Sequence, residues 1–123
     1  MRMCEKTIMS TSQLSREVTK LHAELCSGLS DPKRLLLLYT LADQPHTVND
    51  LAGELSMSQP ATSRHLKVLR DRGLVNSTRC GAHVEYSLVD LRLIEALDLL
   101  RAVLHDNVTR RANLVSQDFS LEA

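Results

Sequence analysis

The sequence has 123 residues, with 15 basic and 15 acidic side chains and a formal net charge of zero at pH 7. This length predicts one compact domain with a modest core, and the zero net charge gives no overall attraction to nucleic acid. With no Trp, one Phe and two Tyr, the core has to be built mainly from aliphatic side chains on packed helices. We therefore expect a mostly α-helical fold.

The N-terminal stretch MRMCEKTIMS lacks the continuous apolar segment of a signal peptide, and no later stretch approaches the length of a membrane span. We therefore expect a cytoplasmic protein with no membrane partner. Its three cysteines, Cys4, Cys26 and Cys80, are widely spaced and form no CxxC motif. This spacing argues against a disulfide framework and a preformed structural zinc site. No cofactor is predicted, and a bound metal is left unassigned.

Two helices are predicted in the first third of the chain. From residue 13 to residue 29, apolar side chains recur at the spacing of an amphipathic helix: Leu14, Val18, Leu21 and Leu25. The next helix begins with Asp31 as N-cap and Pro32 at the first helical position. Its run 35–38 is apolar on all sides, which predicts a central buried helix ending near Asp43.

Two shorter helices follow. Thr47 and Asp50 have the spacing of a capping box before an apolar stripe about two turns long: Val48, Leu51, Ala52 and Leu55. Ser58 is placed to cap the next helix, which has Pro60 in its first turn and Gly73 at its left-handed end. The predicted inner side of that helix consists of Thr62, Leu66 and Leu69.

The stretches LVNSTR and HVEYSLV, separated by CGA, alternate in the manner of a two-stranded hairpin. Asp90 is placed to cap a last helix from Leu91 to about Asn107, with a broad apolar surface. We therefore divide the chain into a flexible N-terminal segment (1–12), one folded domain (13–107) and a C-terminal tail (108–123).

Two short helices joined by a tight turn and followed by a hairpin are typical of a winged helix-turn-helix, whose second helix enters the major groove of DNA by its N-terminal end. Between Gln59 and Val84 there are five basic residues and one acid. The predicted base contacts at the leading end are Ser58, Gln59, Ser63 and Arg64. Lys67 and Arg70 are predicted to contact phosphates. Arg79 and His83, on either side of the wing turn, are predicted to contact backbone phosphate or the minor groove.

Three segments, LSDPKRLLLLYTL, LAGELSMSQPATSRHLKVLRDRGLV and RCGAHVEYSL, resemble the successive signatures of ArsR-type winged-helix transcriptional regulators. The resemblance covers about residues 20 to 105. It implies a homodimeric repressor that leaves its operator when an inducer binds or reacts. It also implies base contacts at Gln59, Pro60, Ser63 and Arg64, although Pro60 departs from the small polar residue frequent at that position.

The resemblance further implies dimerisation through the first and last helices. Their composition agrees, because they carry more aliphatic surface than a small monomer can cover. The expected interface residues are Leu14, Val18, Leu21, Ile94, Leu97, Val103 and Leu104. The alternative is that a monomer core covers both helices completely. A two-fold dimer predicts double-stranded palindromic operator DNA with half-sites one or two helical turns apart.

The inducer cannot be read from the sequence. The segment TVNDLAGELSMS contains neither Cys nor His, so the cysteine-pair metal site of many relatives is absent. A second family site, on the last helix, is broken by Arg92 after Asp90 and by the adjacent His105 and Asp106.

The cysteines leave alternatives open. Cys4 and Cys26 are candidates for a thiol pair that senses oxidants, persulfides or a soft metal; alternatively, Cys26 packs in the core as a small apolar residue. Cys80, in the wing, is expected to be exposed, either with a pKa lowered by Arg79 and His83 or without a function.

No enzyme is predicted, because the sequence has no Gly-rich phosphate loop, paired catalytic carboxylates or Cys–His arrangement. His65 is expected to point toward the buried side of its helix. Its predicted role is therefore structural, and it is not predicted to contact DNA bases. The rival function from another class is a winged-helix protein-interaction module, whose basic face binds an acidic partner without specific DNA readout.

Overall fold

The structure, a computed structural model, describes the backbone of residues 10–122 and the side chains of residues 10–115. The chain divides after Val89 into two compact units. The first contains α1 (Thr11–Leu21), a π-helical segment (His22–Cys26), α2 (Pro32–Leu41), β1 (His46–Thr47), α3 (Val48–Glu54), α4 (Gln59–Asp71), β2 (Val75–Cys80) and β3 (His83–Leu88). The second contains α5 (Arg92–Glu122). None of the helices, over the residues described, has the length and apolar character needed to cross a membrane.

The first predicted helix begins earlier than expected and does not run unbroken. Ser10 caps α1 by accepting a hydrogen bond from the backbone N–H of Gln13 at 3.2 Å. The helix begins at Thr11, two residues before the predicted start of the folded domain at residue 13. After Leu21 the backbone changes to π-helical pairing, in which Ser27 N donates to His22 O at 3.0 Å. The α-helical periodicity used in the prediction therefore fails beyond residue 21, because the π turn holds more residues.

α2 begins as predicted, with Asp31 accepting a hydrogen bond from Lys33 N at 2.8 Å ahead of Pro32. Its burial is one-sided. Leu37, Leu38 and Leu41 are buried, but Leu36 is 53% exposed, so the expectation of a helix buried on all sides was wrong. A helix turns about 100° per residue, and only one stripe of α2 faces the core.

The helix-turn-helix formed by α3 and α4 agrees closely with the sequence prediction. The Thr47–Asp50 capping box is present at the start of α3, and the Ser58 hydroxyl accepts a hydrogen bond from Ala61 N at 3.2 Å at the start of α4. The predicted inner residues of α4 are fully buried: Thr62, Leu66 and Leu69. Gly73, with φ +77°, lies just beyond the end of α4 in the left-handed conformation that glycine favours.

The predicted hairpin is part of a three-stranded antiparallel sheet with strand order β1-β3-β2. β2 and β3 pair without interruption from Val75 opposite Leu88 to Cys80 opposite His83. The turn contains Gly81 at φ +65°. β1 was not predicted because two residues are too few to show alternation, and its pairing with β3 is a tertiary contact.

In the second unit, the Asp90 carboxylate accepts a hydrogen bond from Arg92 N at 2.9 Å at the start of α5. The helix spans 31 residues and continues to Glu122. Both the predicted end near Asn107 and the separate tail from residue 108 were therefore wrong. No Gly or Pro occurs between residues 92 and 122, so the sequence contains no strong helix stop beyond the predicted end.

Candidate nucleic-acid interface

The leading end of α4 faces solvent. Ser58, Gln59, Pro60, Ser63 and Arg64 are all exposed. The Ser58 hydroxyl oxygen is engaged as the helix cap, so this residue shapes the helix start. In the part of the chain that the structure describes, the side chains of Gln59, Ser63 and Arg64 have no hydrogen-bond or ion-pair partner. Their donors and acceptors are thus available to an external ligand.

The opposite face of α4 is anchored. Leu66, Leu69 and Thr62 have no exposed surface. Thr62 satisfies its hydroxyl by donating to Ser58 O at 2.8 Å, so this polar group is buried without a desolvation penalty. α4 is therefore fixed on its inner face and available on its outer face, as groove readout requires.

Farther along α4, the two predicted phosphate contacts differ. Lys67 Nζ lies 2.9 Å from Asp71 Oδ2, one turn on, in an exposed ion pair. That hydrogen bond is the main cause of the lowered pKa of Asp71. Exposed pairs of this kind contribute little stability, so Lys67 can exchange Asp71 for a phosphate at small cost. Arg70 is exposed and has no such partner among the described residues.

The two predicted wing contacts lie on opposite faces of the hairpin. Arg79 pairs with Val84, whereas His83 pairs with Cys80. Successive residues of a strand point to opposite sides and paired residues share a side, so Arg79 and His83 are separated by the sheet. Both lie close to the Gly81 turn and both are exposed. The wing therefore presents one basic residue and one imidazole in different directions.

A groove of about 450 Å³ lies between the helix-turn-helix and the tip of the wing. Its lining brings together two predicted contacts, Gln59 from α4 and His83 from β3, with the turn residue Ala82. Asn49 and Asp50 of α3 also line the groove. The sequence analysis did not predict that Asn49 lines this groove. Its position between the two capping-box residues, in the first turn of α3, could have indicated an exposed amide there.

Cys80 is exposed as expected, but its electrostatic surroundings are the reverse of those expected. Partial desolvation by neighbouring atoms raises the pKa of the exposed thiol, and the Glu85 carboxylate raises it further by repulsion and by accepting a hydrogen bond from Sγ at 3.7 Å. Arg79 does not lower this pKa, because it lies on the other face of the hairpin. The prediction of an activated wing thiol was therefore wrong.

The remaining predicted sensor residues are Cys26 and Cys4. Cys26 is exposed at the end of the π-helical segment, so the core-packing prediction was wrong; it relied on an α-helical phase that the π turn changes. Cys4 lies outside the described residues. Among the residues that the structure describes, no group of three or more His, Cys, Asp or Glu side chains could hold a metal ion.

The apolar faces of the terminal helices remain open in the single chain. About half of the surface of each apolar side chain on α1 is exposed: Leu14, Val18 and Leu21. On α5, more than half of the surface of Val103 and of Leu104 is exposed. Ile94 is half-buried and Leu97 is buried, with 8% of its surface exposed. The alternative in which a monomer core covers both helices completely was therefore wrong.

Comparison with known proteins agrees with the winged helix-turn-helix fold. The profile of the family described as "Bacterial regulatory protein, arsR family" matches residues 31–77. The chain is 41% identical over 76 residues to the HTH-type transcriptional regulator NmtR of Mycobacterium tuberculosis, covering 62% of this chain and 63% of NmtR. It is 30% identical over 103 residues to the nodulation protein NolR of Rhizobium meliloti, covering 84% of each.

Among solved structures, the crystal structure of M. tuberculosis Rv0081 is similar with a TM-score of 0.69 and 29% identity, over 77% of this chain and 96% of that one. The chain spans between half and two thirds of the length of the first curated relatives it matches. These relatives are named as transcriptional regulators and repressors, and none is named as an enzyme. The winged helix-turn-helix fold and the extent of these matches show that the chain belongs to the ArsR family of bacterial regulatory proteins.

Proposed function

We propose that this protein is a sequence-specific DNA-binding repressor that acts as a homodimer and leaves a palindromic operator when an inducer is present. One observation carries the proposal. The leading end of α4 exposes Gln59, Ser63 and Arg64 without partners among the described residues, on a helix whose inner face is fully buried. Gln suits the donor–acceptor pair of adenine, and Arg suits guanine or a phosphate.

The wing and the groove beside it support the same proposal. His83 and Asn49 line the groove that Gln59 borders, and Arg79 points from the other face of the hairpin. A duplex seated on α4 would meet these side chains along its backbone, where imidazole, amide and guanidinium groups donate to phosphate oxygens. Because DNA in bacteria lies in the cytoplasm, the proposal places the protein there.

The proposed dimer uses the apolar faces of α1 and α5. Exposed apolar patches on soluble proteins commonly mark association sites, and both helices present half-exposed or exposed aliphatic side chains. Two copies related by a two-fold axis would present two α4 helices to successive major grooves of a palindrome.

If this repressor senses its inducer through a thiol, Cys26 is the better candidate of the two described cysteines, because formation of the Cys80 thiolate is disfavoured.

The decisive experiment measures binding of the reduced protein to its own upstream DNA and to scrambled DNA over a range of salt concentrations. We expect Arg64→Ala or Ser63→Ala to weaken specific binding by roughly 1–3 kcal/mol while the fold persists. Lys33→Ala, which removes an exposed charge from α2, is the matched control and should bind as the wild type does. Equal affinity for upstream and scrambled DNA would favour the protein-interaction module, and unchanged binding by Arg64→Ala and Ser63→Ala would remove α4 from base readout.

A further inference from the structure

Arg34 of α2 contacts α4 near the middle of that helix. Arg34 Nε donates to Gly28 O at 2.7 Å, and its Nη1 lies 3.3 Å from His65 Nδ1 on α4. Its Nη2 lies 3.4 Å from Ser27 O. One half-buried guanidinium thus joins α4 to the backbone that follows the π-helical segment.

Arg34 is the donor in its contact with His65. A guanidinium has only donors, so the Nδ1 atom of His65 accepts the hydrogen bond from Arg34 Nη1 across 3.3 Å. The Arg34 fork can bond two partners at once because its nitrogens are held in one plane. A lysine has one nitrogen at the same place and cannot reproduce both contacts.

A second arginine holds the end of α4. Arg72, the C-cap of α4, donates from Nη1 to Ala23 O at 3.0 Å. In a regular α-helix Ser27 N would bond to Ala23 O, but here it bonds to His22 O. The π-helical pairing therefore leaves the Ala23 carbonyl to Arg72 and to the Ser27 hydroxyl, which donates at 2.7 Å.

The backbone at this junction is closely packed. A Cβ atom on Gly28 would lie 3.0 Å from Leu74 Cδ1 and 3.3 Å from Arg72 Cγ. Gly28 therefore lies against the end of α4 at a distance that a side chain would disturb. This close approach is a second, independent sign that residues 22–28 serve as the support of α4.

We propose that Arg34 and Arg72 are positioning residues for DNA readout, which set the angle at which α4 presents Gln59, Ser63 and Arg64. The inference rests on the proposed DNA-binding function. α4 has 13 residues and is about 20 Å long, so a tilt of about 10° at its C-terminal end would move its leading end by about 3 Å. A displacement of that size breaks hydrogen bonds to base edges, while contacts to phosphates adjust more easily.

The first test compares Arg34→Lys with wild type for binding to upstream DNA and to scrambled DNA, with the salt dependence of both. We expect specific affinity to fall about tenfold, with non-specific affinity and the salt slope unchanged, because Arg34 contacts no phosphate. His65→Leu removes the contact with Arg34 Nη1 and should produce a similar loss, and the double variant should lose less than the sum of the two single losses because that contact is shared. Lys33→Ala, one residue away on the same helix, is the control for charge.

The outcomes are separable. If wild type does not prefer upstream DNA, the proposed function fails before the variants are considered. If wild type does but Arg34→Lys binds equally well, the positioning role is overturned. A smaller salt slope in Arg34→Lys also overturns it, because it would mark Arg34 as a phosphate contact. If Arg34→Lys unfolds, the exposed Arg72→Lys decides: a tenfold specific loss at unchanged slope supports the proposal, and unchanged binding overturns it.

Discussion

At the scale of single residues, the two described cysteines share exposure but differ in their neighbours. Both Cys26 and Cys80 are exposed, yet Cys80 has the Glu85 carboxylate 3.7 Å from its sulfur. Only the thiolate attacks electrophiles, and a carboxylate at that distance opposes its formation. Exposure alone is therefore a poor guide to which thiol responds to an oxidant.

We predict that Glu85→Gln increases the alkylation rate of Cys80 several-fold at pH 7 to 8. The raised pKa of Cys80 means that little thiolate is present in this range, and removal of the negative charge lowers the pKa toward its usual value. Peptide mass spectrometry after a timed iodoacetamide pulse reports the two cysteines separately. Glu54→Gln, an exposed acid on α3, is the control; an equal rate in wild type and Glu85→Gln would show that Glu85 does not govern the thiol.

The residue-level predictions succeeded where the information was local. The caps Thr47 and Ser58 follow from short sequence patterns, and both are present. Arg79 and His83 look equivalent on either side of a turn, but the strand register separates them. The Arg34–His65 contact spans 31 positions along the chain, and no spacing rule reveals a pair at that separation.

At the scale of the elements, the start of α5 depends on one charged cap. The Asp90 carboxylate receives hydrogen bonds from the Arg92 guanidinium and from the Arg92 backbone N–H. These bonds lower its pKa to about 2, with the side-chain bond the larger cause. A carboxylate at a helix N-terminus also interacts favourably with the helix dipole.

We predict that Asp90→Asn lowers the thermal midpoint of the protein above pH 4, and that the difference from wild type shrinks between about pH 3.8 and pH 2. The folded state favours the ionised carboxylate, so the stabilisation is complete above the usual pKa of 3.8 and disappears as pH falls through about 2. Circular dichroism melts at several pH values measure it. Asp43→Asn, an exposed carboxylate outside the helices, is the control; a difference that persists at pH 2 would contradict the linkage.

The elements that the sequence did not predict differ in character. The π-helical segment is contacted by Arg72, which is distant along the chain, and β1 pairs with β3. α5 extends to residue 122 because nothing local stops it. Periodicity identifies an amphipathic helix, but it does not reveal the tertiary contacts beside an interruption of that helix.

At the scale of the whole molecule, the described part of α5 carries an apolar stripe that a single chain leaves exposed. Leu100, Leu104 and Val108 recur at four-residue spacing and are all exposed. A second copy would remove this stripe from water and gain the free energy of apolar burial. Leu97 was predicted to lie in the interface, but it is only 8% exposed in the single chain, so a charge there would test the fold as well as the interface.

We predict that Leu104→Glu, at a residue 64% exposed in the single chain, converts the dimer into a folded monomer. Operator affinity should fall by at least tenfold, because two half-sites would no longer be read by two linked α4 helices. Light scattering with size exclusion gives the mass, and circular dichroism gives the fold. Asn113→Glu adds the same charge at a polar position of α5 and should remain dimeric; a dimeric Leu104→Glu would place the interface elsewhere.

The uninterrupted pairing of the wing constrains how it can change in evolution. β2 and β3 pair residue for residue up to the turn at Gly81, so one residue inserted into a single strand would force a bulge or a register slip. One residue added to each strand preserves the pairing at the base of the hairpin. The added pair also reverses the side of the sheet to which each residue nearer the turn points. Wings of this design should therefore lengthen in pairs, and each added pair would exchange the faces of the hairpin on which the tip residues lie.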